Sequence, residues 1–231
     1  MLLADVDGAP GAVNMAKQHS SLVMNKQELA ALYEKLCQTP SDINEHLSTF
    51  VQMVKSIGAT RVIELGVREG VSTVAWLYAL HDEGHLWSVD VSFPAEQAPI
   101  RSGTSPIVDS SKWTFILGRD DDPFVLATLP TECDIVFIDT AHTFEQTYRE
   151  LELYKPRVRS GGYILLHDTL DVGPQPWPVR HAIEKFVGER DLTWDEHAYN
   201  HGLGVIQIIS LATPQSVKAP EVIQRPIHRT H

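Results

Sequence analysis

"RVIELGVREGVSTVAWLYALHDEGHLWSVD", residues 61–90, holds two short apolar runs with a glycine-framed turn and a helical pattern between them. RVIEL (61–65) is short and β-branched, Gly66 and Gly70 frame a turn, VSTVAWLYALHDE places its apolar residues at helical spacing, and HLWSVDVS (85–92) returns to a strand. Two strands joined through a helix lie parallel, because parallel neighbours need a crossover connection. This unit therefore predicts a parallel α/β sheet.

The same beat continues down the chain. KWTFILG (112–118) is a third strand, followed by the short helix of DPFVLATL. CDIVFID (133–139) is a fourth, followed by TFEQTYRELELYKPRV with Phe144, Tyr148 and Leu151 on one helical face, and GGYILLHD (161–168) is a fifth. Strands and helices in alternation predict a doubly wound α/β domain with helices on both faces. Upstream, NKQELAALYEKLCQ carries Leu29, Leu32, Tyr33 and Leu36 on one stripe. SDINEHLSTFVQMVKSIG then carries Ile43, Leu47, Phe50, Val54 and Ile57, with Ser41 or Asp42 as N-cap and Gly58 as terminator. After the fifth strand, TLDVGPQPWPVR is a Pro-rich connector, HAIEKFVGER a helix, and LTWDEHAYN and GLGVIQIIS two strands about Asn200-His201-Gly202, hence an antiparallel hairpin. The expected organisation is a flexible arm over 1–24 and a single domain over 25–211, with helices at 25–58 and an α/β core at 59–211. A tail over 212–231 is either disordered or packed on another subunit of a homo-oligomer.

A length of 231 residues with 43% hydrophobic residues suits one substantial core. The net charge of -11, from 19 Lys+Arg against 30 Asp+Glu, argues against a general nucleic-acid binder, whose affinity rests on neutralising phosphates. No run approaches the ~18 apolar residues of a membrane span, and the opening residues lack a basic start and a long apolar core, so neither membrane insertion nor secretion is expected. Cys37 and Cys133, far apart and outside any metal-ligand spacing, fit a reduced chain in the cytoplasm.

Ligands of open α/β sheets bind beyond the carboxyl ends of the strands, and here those ends are acidic. Gly66 and Gly70 let backbone come close to a ligand, and Asp90, at the end of strand two, suits both hydroxyls of a ribose. A purely structural turn is the simplest alternative, and the position of Asp90 also admits a nicotinamide dinucleotide. Glu64 separates the readings, together with the final hairpin, which a simple dinucleotide-binding sheet would not predict at its end. An acid at the end of strand one would face a pyrophosphate with like charge, whereas a sulfonium cofactor carries no phosphate.

VIELGVREGVST with WSVDV resembles the first two motifs of the class I S-adenosylmethionine-dependent methyltransferases, and the likeness runs over about residues 42–210. It is strongest to the metal-dependent O-methyltransferases of the catechol type and to the relatives that methylate sugars and antibiotic precursors. The resemblance implies a Rossmann-like seven-stranded sheet with an antiparallel last strand, S-adenosylmethionine as methyl donor, and a hydroxyl of a small sugar, phenolic or antibiotic-like molecule as acceptor. It implies that Glu64, Gly66, Gly70 and Ser72 line the methionine half of the cofactor, that Asp90 holds the ribose, and that Gly118, Arg119 and Asp120 border the adenine. Asp139 would also touch the cofactor. Arg68 departs from the small residue common at its position, although the catechol type also carries a large one there.

Asp139, His142, His167 and Asp168 stand at neighbouring strand ends. Singly, each has an ordinary structural role, Asp139 as a helix cap, His142 as a first-turn surface residue and His167-Asp168 as a strand terminus. Together they converge on one crevice. Carboxylates on strand ends suit Mg²⁺, which takes one or two of them and keeps several waters, and a divalent cation lowers the pKa of a bound hydroxyl. By the resemblance Asp139 is the first ligand, and His167 and Asp168 replace an Asp-Asn or Glu-Asp pair. Either the metal is then Mn²⁺ or another transition ion, or His167 lies outside the coordination shell. His142, where the catechol type has a lysine, has an ordinary pKa near ~6.5 and is the expected general base. Trp177, Arg180 and His201 are candidate walls of the acceptor pocket. The competing readings are an NAD-dependent oxidoreductase, a metallohydrolase built on the same histidines and aspartates, and a cofactor-binding partner subunit without turnover.

Overall fold

In the computed structural model, which describes residues 24–80, 82–94, 112–170 and 177–209, the alternating pattern forms one seven-stranded sheet. Its strands are β1 (Arg61–Leu65), β2 (His85–Asp90), β3 (Trp113–Leu117), β4 (Cys133–Ile138), β5 (Val158–His167), β6 (Trp194–His197) and β7 (Leu203–Gln207), in the order β3-β2-β1-β4-β5-β7-β6. The first five pair in parallel, and β7 runs antiparallel to both β5 and β6. The doubly wound sheet with a reversed last strand is thus present. The arm at 1–23, the connector at 171–176 and the tail at 212–231 lie outside the described residues.

Strand periodicity sorts the core into two layers, because alternate side chains leave opposite faces of a sheet. Val62, Ile135, Phe137, Leu165 and Val205 face one layer, with α1 (Lys26–Gln38), α2 (Leu47–Ile57) and α3 (Val71–Ala79) packed against it. Phe50 of α2, Trp76 of α3 and Phe137 stack through it, with Phe50 lying 4.4 Å from Trp76 and 4.9 Å from Phe137 between ring centroids. Ile63, Leu65, Val136, Ile138, Ile164 and Ile206 face the other layer, with α4 (Pro123–Thr128), α5 (Phe144–Tyr154) and α6 (Pro178–Gly188). Among the described residues no helix is long and apolar enough to cross a membrane.

Three element boundaries differ from expectation, each for a local reason. Neither Ser41 nor Asp42 caps α2: the chain first makes a 3₁₀ turn over Asn44–His46, α2 starts from His46 without a side-chain cap, and the Ser41 hydroxyl accepts from the Asn44 amide at 3.0 Å ahead of that turn. β5 begins at Val158 instead of 161, since a register shift opposite Cys133 and Ile135 absorbs extra residues. Gly162 permits that bulge, as a Cβ there would lie 2.4 Å from the Asp134 carbonyl oxygen. α6 starts at Pro178, where a proline's fixed φ and missing N–H suit the first helical position.

Candidate active site

The strand order turns between β1 and β4, and the crevice opens there. Gly66 follows β1 with φ +87°, and a Cβ on it would fall 1.8 Å from the Asp139 carbonyl oxygen. Only glycine allows these two strand ends to approach so closely. Asp90 organises the turn that follows: one carboxylate oxygen accepts from the Val67 and Arg68 amides at 2.8 and 2.9 Å, the other from the Ser92 amide and hydroxyl at 2.9 and 3.2 Å. A cleft of about 370 Å³ lies against it, with Gly66, Asp90, Ser92, Gly118, Asp120 and Asp139 in its walls. Gly70 caps α3 at φ +76° and donates its amide to the Val67 carbonyl at 2.7 Å.

Glu64 does not form an acidic rim. Strand alternation puts it on the same face as Val62, beneath α3, where it is fully buried and accepts hydrogen bonds from the hydroxyls of Ser72, Thr73 and Ser88 at 2.6, 2.8 and 2.6 Å. Burial pushes its carboxyl up to about 7 in spite of these three donors. Glu64 and Ser72 therefore brace the turn from below, although Ser72 also borders a small hollow shared with Asp42, Arg68 and Asp139.

At the far end of the cleft, Gly118, Arg119 and Asp120 all line the wall, and the Arg119 guanidinium pairs with Asp121, its Nε 2.9 Å from Oδ1. Below them lies a polar cluster that spacing did not bring out. Gln146 Nε2 donates to Asp120 Oδ1 at 2.9 Å and to Glu150 Oε1 at 3.0 Å, and the Thr140 hydroxyl donates to the same Glu150 oxygen at 2.6 Å. Burial, and then Asp120 alongside, pushes the Glu150 carboxyl up to about 9. The readable signal was Glu150 itself, an acid on the buried stripe of α5 with Thr147, Leu151 and Tyr154.

Asp139, His142, His167 and Asp168 do come together. His142 Nε2 lies 3.0 Å from Asp139 Oδ1 and 3.1 Å from Asp168 Oδ2. His167 Nδ1 lies 3.1 Å from that same Asp168 oxygen and 3.5 Å from Asp139 Oδ1, so each imidazole sits between the two carboxylates. The other nitrogen of His167 faces the carbonyl oxygens of Asp42 and Asn200 at 3.0 and 3.3 Å, so the segment before α2 and the β6–β7 turn close over it. Burial works to raise Asp139 and Asp168, but the imidazoles outweigh it and hold both carboxyls below the usual range. The Asp139 hydrogen bond raises His142, and His167 is pushed up to about 10 by both carboxylates against the pull of burial. His201 Nδ1 reaches the outer oxygen of Asp168 at 3.3 Å. Arg180 does not reach this cluster; it binds Glu184 and Glu196 at 2.9 and 2.8 Å.

Backbone strain gathers at the same place. Arg68, His142, Asp168, Asn200 and His201 all have φ between +47° and +67° without being glycine, a conformation that costs about 1–2 kcal/mol per residue. Asn200 and His201 form the β6–β7 turn, where positive φ is common, while Arg68, His142 and Asp168 lie at strand ends beside the crevice.

The comparisons with known proteins agree with this geometry. A probable caffeoyl-CoA O-methyltransferase of Dictyostelium discoideum is 26% identical over 200 residues, covering 80% of this chain and 86% of its own. Among solved structures, a Corynebacterium glutamicum protein superposes with a TM-score of 0.60 at 18% identity, over 87% of this chain and 98% of its own. The O-methyltransferase TomG of Streptomyces achromogenes, solved in complex with S-adenosylmethionine, does so at 0.54 and 14% identity, over 85% and 96%. A family model described as a methyltransferase domain matches residues 63–169. Residues 63–169 thus match a methyltransferase domain, and the protein is an S-adenosylmethionine-dependent methyltransferase.

The matched stretch of this methyltransferase runs from Ile63 in β1 to Thr169, and so includes the ends of β1 to β5 that form the crevice. The NAD-dependent alternative is set aside by that match. Among the described residues, the ligand atoms of Asp139, His142 and Asp168 lie within 4.8 Å of one another. Two hard oxygens and a borderline nitrogen on rigid strand ends form a donor set that fits a divalent cation.

Proposed function

We propose that this methyltransferase moves the methyl group of S-adenosylmethionine to a hydroxyl oxygen of a small molecule, with a sugar, phenolic or antibiotic-like acceptor. The observation that carries the reading is the set of Asp139, His142 and Asp168 beside the cleft, because two carboxylates and an imidazole together suit a hydroxyl that must lose its proton. The curated relatives with O-methyltransferase names, at 26% identity, support the same chemistry.

The reaction is an in-line displacement. The acceptor oxygen forms a bond to the methyl carbon, the carbon–sulfur bond breaks, and its electron pair stays on sulfur as the sulfonium becomes a neutral thioether. Holding donor and acceptor in that line is the larger part of the work, and the strained turns that fix Arg68, Asp168 and His201 serve it. With its Nε2 held between Asp139 and Asp168, His142 has Nδ1 as the nitrogen that can take up a proton in the cation-free chain. A divalent cation, for which Asp139 and Asp168 are the primary holders, would lower the pKa of the acceptor hydroxyl and offset the charge on its oxygen.

The test begins with thermal unfolding. S-adenosylmethionine and S-adenosylhomocysteine are expected to raise the midpoint, and NAD to leave it unchanged. A panel of phenolic and glycosidic hydroxyl compounds then follows, with product mass as readout, on wild type and on His142→Ala. The variant is expected to bind S-adenosylhomocysteine normally and to lose most turnover. Absence of binding by S-adenosylhomocysteine would overturn the reading, and binding without product from any acceptor would favour a partner subunit that lacks turnover.

A further inference from the structure

The polar cluster at the far end of the cleft has a fixed direction. Gln146 Nε2 carries two hydrogens and both are engaged, one by Asp120 Oδ1 at 2.9 Å and one by Glu150 Oε1 at 3.0 Å. An amide oxygen in that place would face the Asp120 carboxylate, so the nitrogen belongs there. Gln146 lines the cleft, and the group it has left for a ligand is therefore its carbonyl oxygen, Oε1. The Thr140 hydroxyl gives its hydrogen to the same Glu150 oxygen at 2.6 Å, and Thr140 also lines the cleft, so toward a ligand its oxygen can only accept. Asp120 completes the wall with a carboxylate, its backbone carbonyl tied to the Tyr154 hydroxyl at 2.7 Å.

These three residues offer acceptors to whatever enters, and so call for a donor. Arg119, a donor on the same wall, is held by Asp121 through Nε and Nη2 at 2.9 and 3.1 Å. Glu150 is what fixes the arrangement. It is fully buried, and burial together with the neighbouring Asp120 pushes its carboxyl up to about 9, so at neutral pH it takes both hydrogen bonds without setting a second charge beside Asp120. On the buried stripe of α5, which it shares with Leu151 and Tyr154, an apolar side chain would satisfy packing. It would also leave the Gln146 amide free to turn over.

With the transferable methyl group beside Asp139 and His142 and the ribose at Asp90, the end of the cleft at Gly118 and Asp120 is left for the adenine, whose exocyclic amine is a donor. We propose that Gln146 is a specificity-determining residue that, with Thr140 and Asp120, selects a 6-amino over a 6-oxo purine in the methyl donor, and that Glu150 is the positioning residue that keeps the Gln146 carbonyl turned to the cleft. A 6-oxo purine sets a carbonyl oxygen against three acceptors. A site whose polar groups are left unpaired by an analogue rejects it, here on the order of 100-fold. The inference rests on S-adenosylmethionine as the occupant of the cleft, and goes beyond it in naming what reads the base.

The experiment measures, by calorimetry on the full chain, the affinities of S-adenosylhomocysteine and of its 6-oxo counterpart S-inosylhomocysteine. It does so for wild type, Gln146→Leu, Glu150→Leu and Glu150→Gln, with thermal unfolding to report that each is folded. Wild type is expected to prefer the adenosyl compound on the order of 100-fold, and Gln146→Leu and Glu150→Leu each to lower that preference by at least about tenfold. Glu150→Gln, which keeps an oxygen for Thr140 and Gln146, is expected to retain it. A merely structural role would weaken both compounds together and leave their ratio alone. An unchanged ratio in Gln146→Leu or in a folded Glu150→Leu, or a ratio lost in Glu150→Gln, overturns the proposal; should Glu150→Leu fail to fold, the other two variants decide it. If wild type binds both compounds equally, the methyltransferase reading stands and this proposal falls; if it binds neither, both fall.

Discussion

Replacing Glu150 with glutamine is expected to stabilise this protein at neutral pH, by an amount that grows as the pH rises. The Glu150 side chain is wholly buried beside Asp120, and its carboxyl is pushed from an ordinary 4.5 up to about 9. A group whose folded pKa is raised contributes most to stability below 4.5 and loses that contribution as pH climbs toward 9. At pH 7 the fold must keep a proton that the unfolded chain gives up, which costs about 3 kcal/mol at roughly 1.4 kcal/mol per pH unit. Glutamine carries no such cost. Its carbonyl oxygen can still accept from Thr140 and Gln146, and its amide can donate toward Asp120, so the cluster stays satisfied. For a chain of this size a gain of that order raises the thermal midpoint by about 6 °C or more. The assay is thermal unfolding of both proteins by circular dichroism at pH 5, 7 and 8.5, with S-adenosylhomocysteine affinity measured alongside. A small difference at pH 5 that widens by pH 8.5 is the expected result. A difference that does not change with pH, or a variant that is less stable at pH 8.5, refutes the reasoning.

Two other substitutions test the cofactor turn. Gly66→Ala puts a Cβ 1.8 Å from the Asp139 carbonyl oxygen at a left-handed φ, and is expected to cost about 3 kcal/mol or more in urea unfolding; a loss below about 1 kcal/mol would mean that the two strand ends move apart easily. Asp90→Asn sets an amide N–H₂ against N–H groups of the turn that need an acceptor, and is expected to weaken S-adenosylhomocysteine at least tenfold, about 1.4 kcal/mol, by calorimetry; wild-type affinity in a folded variant would show that the carboxylate has no part in holding the cofactor.

What could be read from the chain follows from how local each signal is. The sheet was legible because alternation of short β-branched runs with helical stripes is a property of neighbouring residues, and because Asn200-His201-Gly202 marks a hairpin at the end of an otherwise parallel sheet. The ends of β4 and β5 were legible for the same reason, since strands one helix apart in a parallel sheet bring their carboxyl ends together. Glu64 was misplaced because its position near the end of β1 was weighed above its parity within the strand. Counting by twos from Val62 puts it under α3, where Ser72 and Thr73 wait for it. Glu150 was passed over because it interrupts an apolar stripe that still reads as a helix without it.

His142 shows where spacing stops being informative. Three residues beyond Asp139, it would point away from the strand end if the chain entered α5 through ordinary right-handed backbone. Instead it has φ +50°, and Asp168 has φ +58° at the end of β5, so both strand ends bend through left-handed conformations that turn their side chains toward each other. Nothing in a histidine or an aspartate announces such a conformation as a glycine would. Opposed turns at two neighbouring strand ends bring His142 Nε2 to 3.0 and 3.1 Å from two carboxylates, and that distance, rather than the residue type, decides what it does. A base needs its nitrogen turned to the acceptor. The Nε2 of His142 is taken up by two carboxylates, which leaves Nδ1 as the nitrogen that can meet an acceptor proton.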